Sequence, residues 1–145
     1  MIEPLRFTIE LDCPPAHAFE VWTARASLWW PKAHTMSRDS GLEVVFEPHV
    51  GGRVFERAPG GVEHEWGEVT AWEPPHRLAY LWHIATDRAH GTDVEIRFAP
   101  LVEGRTRVDI EHAGWERLGD VGPAWRDENV GGWEGVLPHY IVATR

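Results

Sequence analysis

Asp93-Val94-Glu95-Ile96-Arg97-Phe98 and, past a turn at Glu103-Gly104, Thr106-Arg107-Val108-Asp109-Ile110-Glu111-His112 decide the fold. In the first run Val94, Ile96 and Phe98 alternate with charged residues, and in the second Thr106, Val108, Ile110 and His112 do the same. Side chains on a strand point alternately to opposite faces, so this period of two predicts two antiparallel strands with one buried face. Leu5, Phe7, Ile9 and Leu11 repeat the pattern and predict a first strand, stopped by Pro14 and Pro15. Between them, residues 42–46, 52–56, 63–72 and 78–83 read as further strands of a meander. Gly51-Gly52, Pro59-Gly60-Gly61 and Pro74-Pro75 separate them with the positive or fixed φ values that tight turns need.

Helical periodicity enters in three places. Ala18, Phe19 and Trp22 predict a short helix over residues 16–24, with Pro15 at a first position where no N–H is needed. A second short helical piece is expected over residues 26–30, because Trp30 precedes Pro31 and is pushed away from the α region. From residue 123 to 144, Trp125, Trp133, Val136, Leu137, Tyr140 and Ile141 form an apolar stripe at helical intervals. That helix contains Gly131, Gly132, Gly135 and Pro138, which cost about 1 kcal/mol for each Gly and about 3 kcal/mol for Pro against Ala, so it must gain stability by packing. One strand, two small helices, six strands and a long helix laid across the sheet make an α+β arrangement, one domain over residues 1–145, without repeats or a linker.

Composition narrows the function classes. With 43% hydrophobic and 26% charged residues, 145 residues fit a single core. Fourteen basic against 23 acidic residues give a formal charge of -9, which repels phosphate backbones, so no nucleic acid is the expected partner. The single cysteine, Cys13, forms no intramolecular disulfide, the opening Met1-Ile2-Glu3-Pro4 does not read as a leader, and no apolar run approaches about 18 residues. A cytoplasmic protein without a membrane span is the expectation. Nine tryptophans in so small a chain predict either an aromatic-lined cavity or an unusually bulky core.

Particular pieces sharpen the picture. Pro15-Ala16-His17-Ala18-Phe19-Glu20-Val21-Trp22-Thr23, Trp29-Trp30-Pro31, Gly51-Gly52-Arg53, Gly67-Glu68-Val69, Pro74-Pro75-His76-Arg77-Leu78, Gly104-Arg105-Thr106 and Gly132-Trp133 follow one another in an order that spans nearly the whole chain. This order resembles the START-like, or SRPBCC, superfamily and within it the branch related to the C-terminal domain of the Hsp90 ATPase activator. The resemblance implies a helix-grip fold, a curved antiparallel sheet wrapped around the long C-terminal helix, with a cavity between them. It implies equally a superfamily that binds lipids, hormones and polyketides or catalyses cyclisation and hydrolysis, so the fold leaves the chemistry open. Where relatives often carry a Ser that caps the first helix, this chain has Pro14, and only Asp12 stands near enough in sequence to supply an acceptor.

The expected lining of that cavity is Trp30, Trp82, His112, Trp115, Trp133 and Tyr140, with His112 orienting a polar group of the ligand. His112 continues the inward series of its strand and is the side chain best suited to acid or base work near neutral pH; a satisfied histidine at the sheet margin is the plainer alternative. Tyr80 adds a second hydroxyl. Along residues 63–72 both alternating sets mix apolar and charged members, so Glu65 and Glu68 are either candidate acids or solvated, and Arg53 pairs with a ligand carboxylate or a neighbouring Glu. Nine histidines occur without HExxH or an i, i+4 pair, the glycine turns lack the GK[ST] ending of a phosphate loop, and no nucleophile has a partner, so neither metal nor cofactor is expected. The sequence predicts a protein that binds a small apolar or amphipathic ligand. A cyclase, dehydratase or hydrolase using His112, and an Hsp90-activator-like interaction domain, are the alternatives; edge strands also permit a homodimer.

Overall fold

Alternation in sequence becomes pairing in space. The computed structural model describes residues 2–145; Met1, the first residue of the opening stretch, lies outside them. Seven antiparallel strands, β1 (Leu5–Leu11), β2 (Glu43–Phe46), β3 (Arg53–Arg57), β4 (Glu63–Glu73), β5 (Arg77–Trp82), β6 (Thr92–Pro100) and β7 (Thr106–Ala113), form one sheet in the order β1-β7-β6-β5-β4-β3-β2. Helix α1 (Pro15–Trp22) follows β1, and α2 (Gly122–Ala143) closes the chain. This is the helix-grip α+β fold.

Register aligns the inward residues into rows. Leu5 lies opposite His112, His112 opposite Val94, Val94 opposite Tyr80 and Tyr80 opposite Val69, so one buried row crosses five strands. Against this face pack Ala18, Phe19 and Trp22 of α1 and Trp133, Val136, Leu137 and Tyr140 of α2. The opposite face is laced with ion pairs such as Arg77 to Glu95 at 2.8 Å and Arg107 to Asp109 at 2.9 Å. Such pairs set solubility and register more than stability.

One local expectation changes and two open alternatives close. The piece expected as a helix over residues 26–30 is a single 3-10 turn, Ala26–Leu28, and a second 3-10 turn, Lys32–His34, lies in the stretch expected to be polar loop. Period two fails in β4 because the pairing slips: Val54 faces Gly67 and Phe55 faces Glu65, leaving Trp66 as the extra residue of a bulge. The bulge turns Trp66 fully inside and leaves Glu65 and Glu68 on the outer side. Gly67 beside it must be glycine, since a Cβ there would overlap the carbonyl oxygen of Leu81. At α1, Pro15 occupies the first turn and Pro14 is extended with no side-chain cap, so Asp12 does not supply one. No helix among the described residues is long and apolar enough to cross a membrane.

Candidate ligand cavity

A cavity of about 250 Å³ lies between the concave sheet face and the middle of α2. On α2, Asn129, Gly132, Trp133 and Val136 line it at i, i+3, i+4 and i+7, one face of a helix. The sheet contributes Tyr80, Trp82 and His112. Gly132 makes the space: a Cβ there would meet no atom within 4 Å.

Two loops frame the mouth. The segment from Trp30 to Met36 is held by Trp30 Nε1, which donates to the His34 carbonyl at 3.1 Å, and the His34 ring lies over Gly135, whose Cβ would come 2.7 Å from Nε2. Facing it, Ile84 and Ala85 belong to the β5–β6 loop, anchored by the Arg88 to Glu68 pair at 2.8 Å and by Arg117, which donates to the Gly91 carbonyl at 3.1 Å.

Glu56 of β3 escaped the sequence reading. It is fully buried and accepts from Met36 N at 2.5 Å, Ser37 N at 2.9 Å and Trp66 Nε1 at 2.8 Å. Burial alone would raise its carboxyl, but the backbone donors of Met36 and Ser37, with the Ser37 side chain and the Trp66 indole, outweigh it and hold the group below its ordinary value. One carboxylate therefore ties the mouth segment to the sheet. Through Trp66, whose ring lies 5.2 Å from Trp30 and 5.6 Å from Trp82, it also steadies the aromatic wall. A signal was available: Glu56 shares strand parity with buried Val54, an acid on an apolar face.

His112 sits where the sequence placed it, with both ring nitrogens committed. Trp133 Nε1 donates to Nδ1 at 3.0 Å; because an indole only donates, the ring proton is on Nε2, 2.7 Å from Thr92 Oγ1. The Thr92 hydroxyl donates onward to the Trp82 carbonyl at 3.3 Å. Burial lowers the His112 pKa to about 3, so the imidazole is neutral near pH 7 and acts as a link between sheet and helix. To serve as a base, it would first have to release Trp133.

Of the six residues expected in the lining, Trp30, Trp82, His112 and Trp133 are there. Two are not. Trp115 lies behind His112, its ring centroid 4.3 Å from the imidazole and its Nε1 donating to the His112 carbonyl at 2.9 Å. The hydroxyl of Tyr140 donates to the Ala18 carbonyl at 2.8 Å, and its ring packs 4.6 Å from Trp22, in the core beneath the cavity. Arg53 is taken by Glu47 and Glu63 on the outer face. No Asp, Glu, Lys or Arg lines the cavity, and among the described residues no cluster of three or more His, Cys, Asp and Glu could hold a metal ion.

Comparison with known proteins agrees with this architecture. The chain belongs to the family described as activator of Hsp90 ATPase homolog 1-like protein, whose model matches residues 12–144. It is similar to an anthrahydroquino-gamma-pyrone synthase, Txn09, with 36% identity over 83% of this chain and 82% of that one, at a TM-score of 0.60. CalC, a self-sacrificing resistance protein from Micromonospora echinospora, has the same fold at 22% identity, 98% and 94% coverage and a TM-score of 0.75. So has PFC0360w, an Hsp90 activator from Plasmodium falciparum, at 19% identity, 77% and 73% coverage and a TM-score of 0.57. The last two likenesses carry the fold alone. No curated protein matched the chain.

Proposed function

We propose that the protein binds a small, uncharged, largely aromatic molecule between the sheet and α2. The observation that carries this is the cavity itself, walled by Trp30, Tyr80, Trp82 and Trp133 with no charged side chain in its lining. A charged ligand would lose hydration there without gaining a partner. Size narrows the class. An apolar cavity of about 150 Å³ holds benzene, and drug-sized sites run from about 300 Å³ upward, so about 250 Å³ suits a ligand of two fused rings. Lining residues Asn129 and His34 offer polar contacts to a ligand.

A second reading, catalysis on such a ligand, draws on the likeness to a synthase at 36% identity. In that reading the cavity orients a reactive ring system and excludes water, while His112, as an acid or base, would have to exchange its bond to Trp133 for one to substrate.

Native mass spectrometry of the freshly purified protein tests the binding reading. A discrete extra mass of two-ring size, released on denaturation and missing from Gly132→Leu, is the expected result. Bare protein that also fails to take up tetralin, a neutral two-ring hydrocarbon, contradicts it.

A further inference from the structure

One phenol stands on the cavity wall without an acceptor. Tyr80 is 1% exposed, lies in the row between Val69 and Val94, and is fixed by Phe46 at 5.5 Å and Trp82 at 5.7 Å between ring centroids. Tyr80 is one of the residues that line the cavity. Beside its hydroxyl stands the indole of Trp22, a fully buried residue whose Nε1 has no hydrogen-bond partner and falls outside bonding geometry with the phenol. An indole N–H only donates, so Trp22 cannot take the phenolic proton. Nothing else among the described residues accepts the phenolic proton. Burial keeps the phenol protonated far above its ordinary range, so it does not relieve this by ionising.

The other polar group of this wall is already spent. His112 Nδ1 accepts from Trp133 and Nε2 is engaged with Thr92. The inner wall therefore offers hydrogen-bond donors and no spare acceptor other than the phenol oxygen of Tyr80. A hydrocarbon edge there leaves the phenol O–H unpaired, and a ligand hydroxyl brings a proton with few places to go. A carbonyl oxygen accepts from Tyr80 and asks for nothing in return.

We propose that Tyr80 is the specificity-determining donor of this cavity, selecting uncharged two-ring ligands that carry a carbonyl or comparable acceptor oxygen on their buried end. The inference rests on the ligand-cavity reading above and deepens it.

The test pairs one change in the protein with one in the ligand. Titration calorimetry measures tetralin and its ketone, 1-tetralone, against wild type and Tyr80→Phe, which removes only the hydroxyl. Hydrophobicity favours tetralin in both proteins, so the informative quantity is the ratio of the two dissociation constants. We expect the wild-type preference for the ketone over that baseline to fall by about 3- to 10-fold in Tyr80→Phe, with tetralin affinity unchanged. An unchanged ratio overturns the role of Tyr80 while leaving the cavity reading intact, and absence of binding by either compound overturns both. Should Tyr80→Phe fail to fold, the carbonyl stretch of wild-type-bound, ¹³C-labelled 1-tetralone decides. A band below its frequency in hydrocarbon solvent supports the donor, and a band at that frequency overturns it.

Discussion

Trp133 on α2 donates its indole N–H to Nδ1 of His112 on β7 at 3.0 Å, the direct polar bond between the closing helix and the sheet at the cavity. It fixes the imidazole tautomer and holds the Trp133 ring against the space a ligand would fill. Trp133→Phe leaves a buried acceptor unpaired and is expected to destabilise the fold by about 1–3 kcal/mol in urea unfolding, with the circular dichroism of the native state retained.

The depressed pKa of His112 has a defined pH consequence. Its folded value of about 3 lies below an unfolded value near 6.5, so on acidification the unfolded chain takes up the proton first. The stability it contributes is fully present above about pH 6.5 and is lost progressively as pH falls toward 3. Between pH 6.5 and 5, where carboxylates hardly titrate, His112→Gln is expected to flatten the dependence of unfolding free energy on pH by up to about 1.4 kcal/mol per pH unit. Parallel curves for the two proteins would refute this.

Glu56→Ala strips acceptors from Met36 N, Ser37 N and Trp66 Nε1 at once. A loss of about 2–4 kcal/mol is expected, since each donor bonds a charged group. Hydrogen exchange should show the amides of Met36 and Ser37 losing protection before those of β6. Equal protection in variant and wild type would show that the carboxylate does not hold the mouth.

Glycines on α2 separate helix stability from cavity volume. A Cβ added at Gly131 or Gly132 would have no atom within 4 Å, so Ala at either is expected to stabilise by up to about 1 kcal/mol. Gly131 is outside the cavity lining and Gly132 is part of it, so only the second change should weaken ligand binding. Gly135→Ala is expected to displace His34 and loosen the mouth, seen as a shift of the His34 ring resonances.

Strand identity was legible wherever mostly charged residues occupy one alternate set and the other carries mostly apolar ones, as in β1, β6 and β7, because a period of two has a single interpretation there. It was illegible in β4, where a bulge at Trp66 inserts one residue and reverses the parity on which the reading of Glu65 and Glu68 depended. The aromatic site was legible as a set and not residue by residue. Trp133 and Tyr140 lie on the same face of α2 seven residues apart, about 10 Å along the axis, and the cavity lies against only the middle of the helix, which carries Trp133. Trp115 was expected in the lining as one of the set of tryptophans; the left-handed Gly114, φ 91°, turns the chain so that Trp115 packs behind the imidazole. Glu56 was legible by parity and was passed over because acids on strands are usually solvated.

Two-dimensional ¹H–¹⁵N spectra of the tryptophan indoles during titration with tetralin test the central claim most directly. The account predicts that the Nε1–H signals of Trp30, Trp82 and Trp133 shift saturably and that none shifts in Gly132→Leu. Indole signals that stay fixed in wild type, or that move equally in Gly132→Leu, would contradict a ligand held between the sheet and α2.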